Sequence, residues 1–237
     1  RLIWKYNGEK ESFKNQEYIL NLIDTPGHVD FSYEVSRSVA ASEGALLLID
    51  ASQGIQAQTL TTVYKAMEYD LEIIPVLNKV DLPNAEVDRV KEEVMETFGF
   101  EEEEIILASG KTGIGTEDIL NRIVEEVAAP DKEDSMLYLP TMESDLEADK
   151  KATKALVFGA FYHEYKGVIA LIKMVSGSIS QKDKLYALQT ETEIDPIEIG
   201  YLTPALFEQD EILEGEVGFI GTGLKSIQEI HTGDTIT

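Results

Sequence analysis

The chain has 237 residues, no cysteine, and 45 acidic against 20 basic side chains, for a formal charge of −25. The length suits one large domain or two modest ones. The missing cysteines exclude disulfides and thiolate metal sites and fit a reducing compartment. The acidity excludes a basic nucleic-acid footprint in this segment, and no apolar run is long enough to span a bilayer. Glu101 to Glu104 and the stretch from Asp131 to Asp149 carry much of the negative charge. A solvated surface is its simplest reading; a basic protein partner or a salt-adapted source are the sharper ones.

In chain order, Leu2 to Tyr6 alternates polar and apolar, Asn7-Gly8 signals a turn, and Tyr18 to Ile23 reads as a second strand, which predicts an antiparallel hairpin. The continuous apolar runs Ala45–Ile49, Ile73–Leu77 and Ile105–Leu107 are those of strands covered on both faces. Helical spacing separates them over Phe31–Ser42, Gln56–Tyr69, Ala85–Phe98 and Thr116–Val127, with Thr116 predicted as the N-cap of the last. Such alternation predicts an α/β fold, a mostly parallel sheet with helices on both faces. Residues 129–152 lack a period and are rich in acids, as expected of a linker. From Thr153 the helical signal ends. Leu156–Phe161, Val168–Val175, Lys184–Leu188, Ile194–Tyr201 and Glu216–Ile220 read as strands of a small β-barrel. The expected division is 1–128, 129–152 and 153–237.

Ligands of an open parallel sheet sit beyond the carboxyl ends of its strands. Three polar clusters fall at such ends: Asp24-Thr25-Pro26-Gly27-His28, Asn78-Lys79-Val80-Asp81 and Ser109-Gly110-Lys111. Their common position predicts one shared site. The Asp81 carboxylate offers two acceptor oxygens, which match the N1–H and 2-amino donors of guanine and not the edge of adenine. Asn78 carries a donor and an acceptor, for the other edge of the base or for tying loops together. The Lys79 methylene stem suits a base or ribose face. Ser109, Gly110 and Lys111 present backbone N–H groups, with Gly110 allowing close approach. Asp24 suits Mg²⁺ through a water, the Gly27 N–H suits a terminal phosphate, and His28 suits the positioning of an attacking water. Asp-Thr-Pro-Gly is by itself also a good turn, and Asn-Lys-x-Asp a common surface tetrapeptide; it is their order and joint placement at strand ends that signal function. Asp50 also ends a strand, and reads as the anchor of the loop Ala51 to Gly54 rather than as a metal ligand. Trp4, Tyr6 and Tyr18 read as hairpin core or cover.

Asp-x-x-Gly followed by Asn-Lys-x-Asp resembles the nucleotide-binding loops of the GTPase superfamily, and Asp24 to Phe31 resembles the translational GTPases within it. Ser32–Ser38, Glu43–Leu48, Gln53–Leu60 and Ile74–Pro83 are similar to the elongation factor 4 (LepA) family, as are Tyr165–Ala170, Gly215–Gly218 and Gly233–Thr237 in the second half. The resemblance implies a P-loop-GTPase-like sheet followed by a barrel, binding of GTP and GDP with Mg²⁺, and GTP hydrolysis on the ribosome, through ribosomal RNA and proteins. It implies action on elongating or stalled ribosomes, with back-translocation or rescue as the activity, His28 as the water-positioning residue, and 31–42 as the second switch. It further implies the bacterial cytoplasm, or an organelle, and no stable homo-oligomer. A BipA-like or elongation factor G-like protein, or a non-enzymatic ribosome-binding module, are the alternatives.

The sequence departs from that family in three places. No Gly-x-x-x-x-Gly-Lys-[Ser/Thr] motif occurs: Gly110-Lys111-Thr112 imitates its end, but Ile105 stands where the first glycine belongs. The expectation is therefore a sheet incomplete at its N-terminal side and a segment that alone does not hydrolyse GTP. Gly110 stands where the family usually has alanine. The 129–152 connector is longer and more acidic than usual.

Overall fold

The structure, a computed structural model, describes residues 1–25, 32–130 and 152–237. The expectations for Pro26, Gly27 and His28, and for most of the 129–152 linker, lie outside these residues. The first half runs β1 (Leu2–Lys5), β2 (Glu17–Leu20), α1 (Ser32–Ala40), β3 (Gly44–Asp50), α2 (Ala57–Glu68), β4 (Glu72–Asn78), α3 (Val87–Phe98), β5 (Ile106–Leu107) and α4 (Thr116–Glu126). The second half consists of strands, β6 (Lys154–His163), β7 (Gly167–Ser176), β8 (Ser178–Ser180), β9 (Leu185–Ala187), β10 (Thr192–Ile194), β11 (Glu198–Thr203), β12 (Ala205–Glu208), β13 (Glu211–Leu213), β14 (Val217–Gly221) and β15 (Thr235–Ile236), with one short 3-10 helix at Ile227–Glu229 before the last.

Strands β3, β4 and β5 form a parallel sheet in that order. Side-chain alternation sends Leu47, Ile49 and Leu77 to one face, against Val63 of α2 and Val90 and Val94 of α3. Ile74, Val76 and Ile106 go to the other face, against Ile119 and Ile123 of α4. Helices thus lie on both faces, as the sequence predicts. Pro75 occupies the central strand because its nitrogen faces the β5 side, as the Leu77 carbonyl does when it accepts from Ala108 N at 2.8 Å; the β5 ladder begins only at the Val76–Ile106 pair, so no ladder bond is lost.

The hairpin β1–β2 sets Trp4 opposite Tyr18. β2 stops at Leu20 rather than Ile23, since its partner strand begins at Leu2. Trp4 Nε1 donates to Asn121 Oδ1 at 3.0 Å, and the buried Tyr6 hydroxyl donates to Glu125. Both bonds fasten the hairpin to α4, so these rings serve as cover.

In the second half one antiparallel sheet runs β10-β9-β15-β6-β7-β14-β11-β12, and β13 pairs with β8. Ile194 near one end of the sheet, Ile199 near the other, and Ile179 and Ile212 of the β8–β13 pair are all buried in the same core, which curls these strands into a barrel. Each such isoleucine contributes roughly 1.5–3 kcal/mol. The predicted strand Ile194–Tyr201 is broken at Asp195-Pro196-Ile197 into β10 and β11; proline supplies no ladder N–H there. Strands β8, β12, β13 and β15, of two to four residues, escaped the sequence reading. Lys173 of β7 pairs with Glu43, and the Arg1 guanidinium bonds Gln209 and Glu216 and lies over the Tyr201 ring at 4.8 Å, so the first half is held to the barrel by charge.

Candidate nucleotide-binding site

Parallel pairing places Asp50 of β3 beside Asn78 of β4, and Leu77 of β4 beside Leu107 of β5. The carboxyl ends of all three strands therefore lie along one edge. Two loops leave that edge and are laced together. Asn78 Oδ1 accepts from Lys79 N at 2.8 Å and from Gly110 N at 3.0 Å. Ser109 Oγ donates to Asp81 Oδ1 at 2.6 Å and accepts from Thr112 N at 3.2 Å. Ser109 is 1% exposed, so its hydroxyl must be satisfied internally, and it is. The backbone adds Ala108 N to Leu77 O at 2.8 Å, Val80 N to Ala108 O at 3.2 Å, and Ser109 N to Ile114 O at 2.9 Å.

Between the loops lies a depression of about 270 Å³, lined by Asn78, Lys79, Asp81, Leu82, Ser109, Gly110 and Lys111. All six residues predicted for these two clusters border it. Asp24 and Thr25 do not, so the structure brings together two of the three clusters placed at one site. Pro26, Gly27 and His28 lie outside the described residues. A larger hollow of about 520 Å³, between Leu22 and Pro204, is lined mainly by Leu2, Leu22, Leu202 and Thr203 with the single charge of Arg1, and offers little chemistry.

Two glycines of the second loop differ in what they require. Gly115 has φ of +73°, and a Cβ there would stand 2.1 Å from Leu107 O; only glycine fits. Gly115, not Thr116, is the N-cap of α4: this close approach fixes the entry of the helix, and Thr116 becomes its first residue. At Gly110 a Cβ would sit 3.8 Å from Asn78 Oδ1, an ordinary contact. The fold therefore does not demand glycine at 110.

The electrostatics centre on Lys79, a non-glycine residue with φ of +65°. Its ammonium donates to Asp50 Oδ2 at 2.7 Å. Asp50 Oδ1 also accepts from Ser52 N at 2.8 Å and from Ser52 Oγ at 2.6 Å, and Gln53 Nε2 donates to Oδ2 at 3.2 Å. Hydrogen bonds from Lys79, then from Ser52, hold the Asp50 carboxyl at about 2, below its ordinary 3.8. Asp50 anchors its loop as the sequence implies, but its grip on Lys79 was missed. The signal was its place at a strand end, beside Asn78 in register. Leu82 was missed as well.

Chemically, the depression offers acceptors on one side and N–H donors on the other. Asp81 has about four lone-pair positions, of which Ser109 takes one, leaving acceptors for an adjacent pair of donors. The backbone around Gly110 and Lys111 can donate to a carbonyl. A guanine edge carries that complement. Among the described residues no group of three or more His, Cys, Asp or Glu could hold a metal. A lone carboxylate such as Asp24 fits a Mg²⁺ only through a bound water, with phosphate oxygens and further waters needed as its direct ligands.

The model of the elongation factor Tu GTP binding domain matches residues 7–129, just over half of the chain. Elongation factor 4 of Bacillus cytotoxicus is 45% identical over 236 residues, which cover 98% of this chain and 36% of that protein. Elongation factor 4 of Parabacteroides distasonis is 48% identical over 228 residues, 96% of this chain and 36% of that protein. The chain thus spans about a third of the length of the curated relatives it matches. Among solved structures, the bacterial selenocysteine-specific elongation factor EF-Sec aligns over 90% of this chain and 34% of its own, with a TM-score of 0.64 at 20% identity, a likeness of fold. With the laced strand-end loops inside the matched segment, the chain belongs to the family of the elongation factor Tu GTP binding domain.

Proposed function

We propose that this chain is the base-binding part of a GTP-hydrolysing translation factor of the elongation factor 4 type, followed by its barrel domain. The single observation that carries the reading is the double tie of Asn78 to Gly110 and Ser109 to Asp81, which holds an acceptor pair and a backbone donor set around one depression. In this proposal residues 1–128 are part of the GTP-binding domain, 129–152 an acidic linker, and 153–237 the barrel. The nucleotide is GTP or GDP, read by Asp81, with Asn78 tying the loops, Lys79 covering the base, and Ser109, Gly110 and Lys111 serving its oxygen. Asp24 would hold Mg²⁺ through a water, and the ion would supply charge neutralisation at the phosphates. Thr25, Pro26 and Gly27 belong to the nucleotide-binding loop, with the Gly27 N–H aimed at the terminal phosphate, and His28 orients the attacking water. The partner is the ribosome, on which the whole protein acts by back-translocation or by rescue of stalled elongation, in the bacterial cytoplasm. Residues 1–237 contain no phosphate-cradling Gly-x-x-x-x-Gly-Lys-[Ser/Thr] sequence, and alone they are proposed not to turn over GTP. Among the described residues no helix is long and apolar enough to cross a membrane.

The test is GTP turnover by the full-length protein with and without bacterial ribosomes, in wild type and His28→Ala. Ribosome-stimulated turnover that falls by about 10²-fold or more in the variant is expected. Turnover that ribosomes do not stimulate, or stimulation that survives the substitution, overturns the reading.

A further inference from the structure

Asp50 lies outside the depression, yet one of its oxygens reaches a residue that lines it. The Lys79 backbone belongs to the β4 loop, beside Asn78 and Asp81, while its ammonium sits on Asp50 at the end of β3, 2.7 Å from Oδ2. The four-carbon stem must run between those two points. It therefore walls the depression on the β3 side, opposite the Ser109–Lys111 loop on the β5 side. A lysine stem at the surface has many rotamers, and fixing one costs conformational entropy. Here two features fix it before any ligand arrives. The backbone of Lys79 is held in the left-handed region by its own N–H bond to Asn78 Oδ1. The ammonium is held by a carboxylate that is itself oriented by Ser52 N, Ser52 Oγ and Gln53 Nε2.

We infer that Asp50 is a positioning residue for nucleotide binding: by holding the Lys79 ammonium it presents the methylene stem as a preset wall for a purine ring. The inference rests on the proposed base site. It assigns Asp50 to affinity and Asp81 to base choice. Packing against a stem is indifferent to the groups on the purine edge, whereas acceptor pairing is not.

The experiment is a double-mutant cycle in the full-length protein with fluorescently labelled GDP and xanthosine diphosphate as probes. Asp50→Asn is the informative variant, because its side-chain oxygen still accepts from Ser52 while the charge that holds Lys79 is gone. Lys79→Met keeps an unbranched side chain and removes the ammonium. Asp50→Asn is expected to weaken GDP binding about fivefold, the scale of a half-exposed ionic contact. It should weaken xanthosine diphosphate binding by the same factor in an Asp81→Asn background, and do nothing further once Lys79 is Met. Asp50→Glu should recover part of the loss. An Asp50→Asn loss of equal size with and without the Lys79 ammonium would mean a structural role only and would overturn the inference, as would no loss in the wild-type background. If Asp81→Asn fails to move preference from guanine to xanthine, the base-site reading itself fails, an outcome separable from the cycle.

Discussion

The Gly110 N–H donates to Asn78 Oδ1 at 3.0 Å, and the same oxygen accepts from Lys79 N at 2.8 Å. One carboxamide oxygen therefore sets the spacing of the two loops that border the depression. Asn78→Ala removes both bonds and leaves two N–H groups seeking water. It is expected to lower stability by about 1–2 kcal/mol and, because the loops then drift apart, to weaken guanine nucleotide binding about tenfold or more. Urea denaturation paired with nucleotide titration checks both. Unchanged affinity would show that the loops keep their spacing without Asn78.

The two glycines of the second loop are expected to respond in opposite directions. Gly110→Ala places a methyl group where only an ordinary contact awaits it, so it should stabilise the fold by about 0.4–1 kcal/mol through the unfolded chain. Gly115→Ala forces a Cβ toward Leu107 O at a φ of +73°. It should cost about 1–2 kcal/mol for the backbone conformation alone, with displacement of β5 from α4 added. Denaturation midpoints of the two variants would decide. A destabilising Gly110→Ala would contradict the geometry at 110.

Acid should release Lys79. The folded pKa of Asp50 is depressed to about 2 from 3.8. The stability this group contributes is therefore fully present above about pH 4, and is lost as the pH falls toward 2. Asp50→Asn lacks that carboxylate at every pH. The stability difference between wild type and Asp50→Asn should shrink between pH 4 and pH 2. A constant difference over that window would mean that Asp50 does not titrate as its partners imply.

Much of this architecture is legible in the sequence because its strands obey simple rules. The apolar runs at Ala45, Ile73 and Ile105 lie in a sheet covered on both faces, and those strands and helices appear within a few residues of their predicted bounds. The barrel is less legible. Its strands β8, β12, β13 and β15 are two to four residues long; β8, β13 and β15 exist because Ile179, Ile212 and Ile236 reach a core assembled from distant parts of the chain, and β12 only by pairing with β11. No local pattern of that length specifies a strand. At the site, the polar residues themselves stand out at strand ends, so Asn78, Lys79, Asp81, Ser109, Gly110 and Lys111 can be named in advance. Their bonds to one another cannot. The contact between Asp50 and Lys79 joins residues 29 positions apart through side chains, and only the register of β3 on β4 reveals it.

The hairpin provides a test of the rest of the fold. Tyr6 is buried against Phe13 at 5.7 Å between ring centroids, and its hydroxyl accepts from Lys10 N at 3.0 Å while donating to Glu125. Tyr6→Ala should cost about 3–5 kcal/mol, and Tyr6→Phe about 1 kcal/mol. Equal losses in the two variants would mean that the hydroxyl, rather than the ring, fastens the hairpin to α4.

In the proposed site, Asp81 reads guanine through its acceptor pair. The direct test is competitive binding of GDP, ADP and xanthosine diphosphate to the full-length protein, with Mg²⁺, in wild type and Asp81→Asn. Guanine preference in the wild type that turns to xanthine in the variant is the predicted result, since an amide offers a donor where xanthine carries an oxygen. A wild-type protein that binds GDP no better than ADP would contradict the account and leave the laced loops as structural turns.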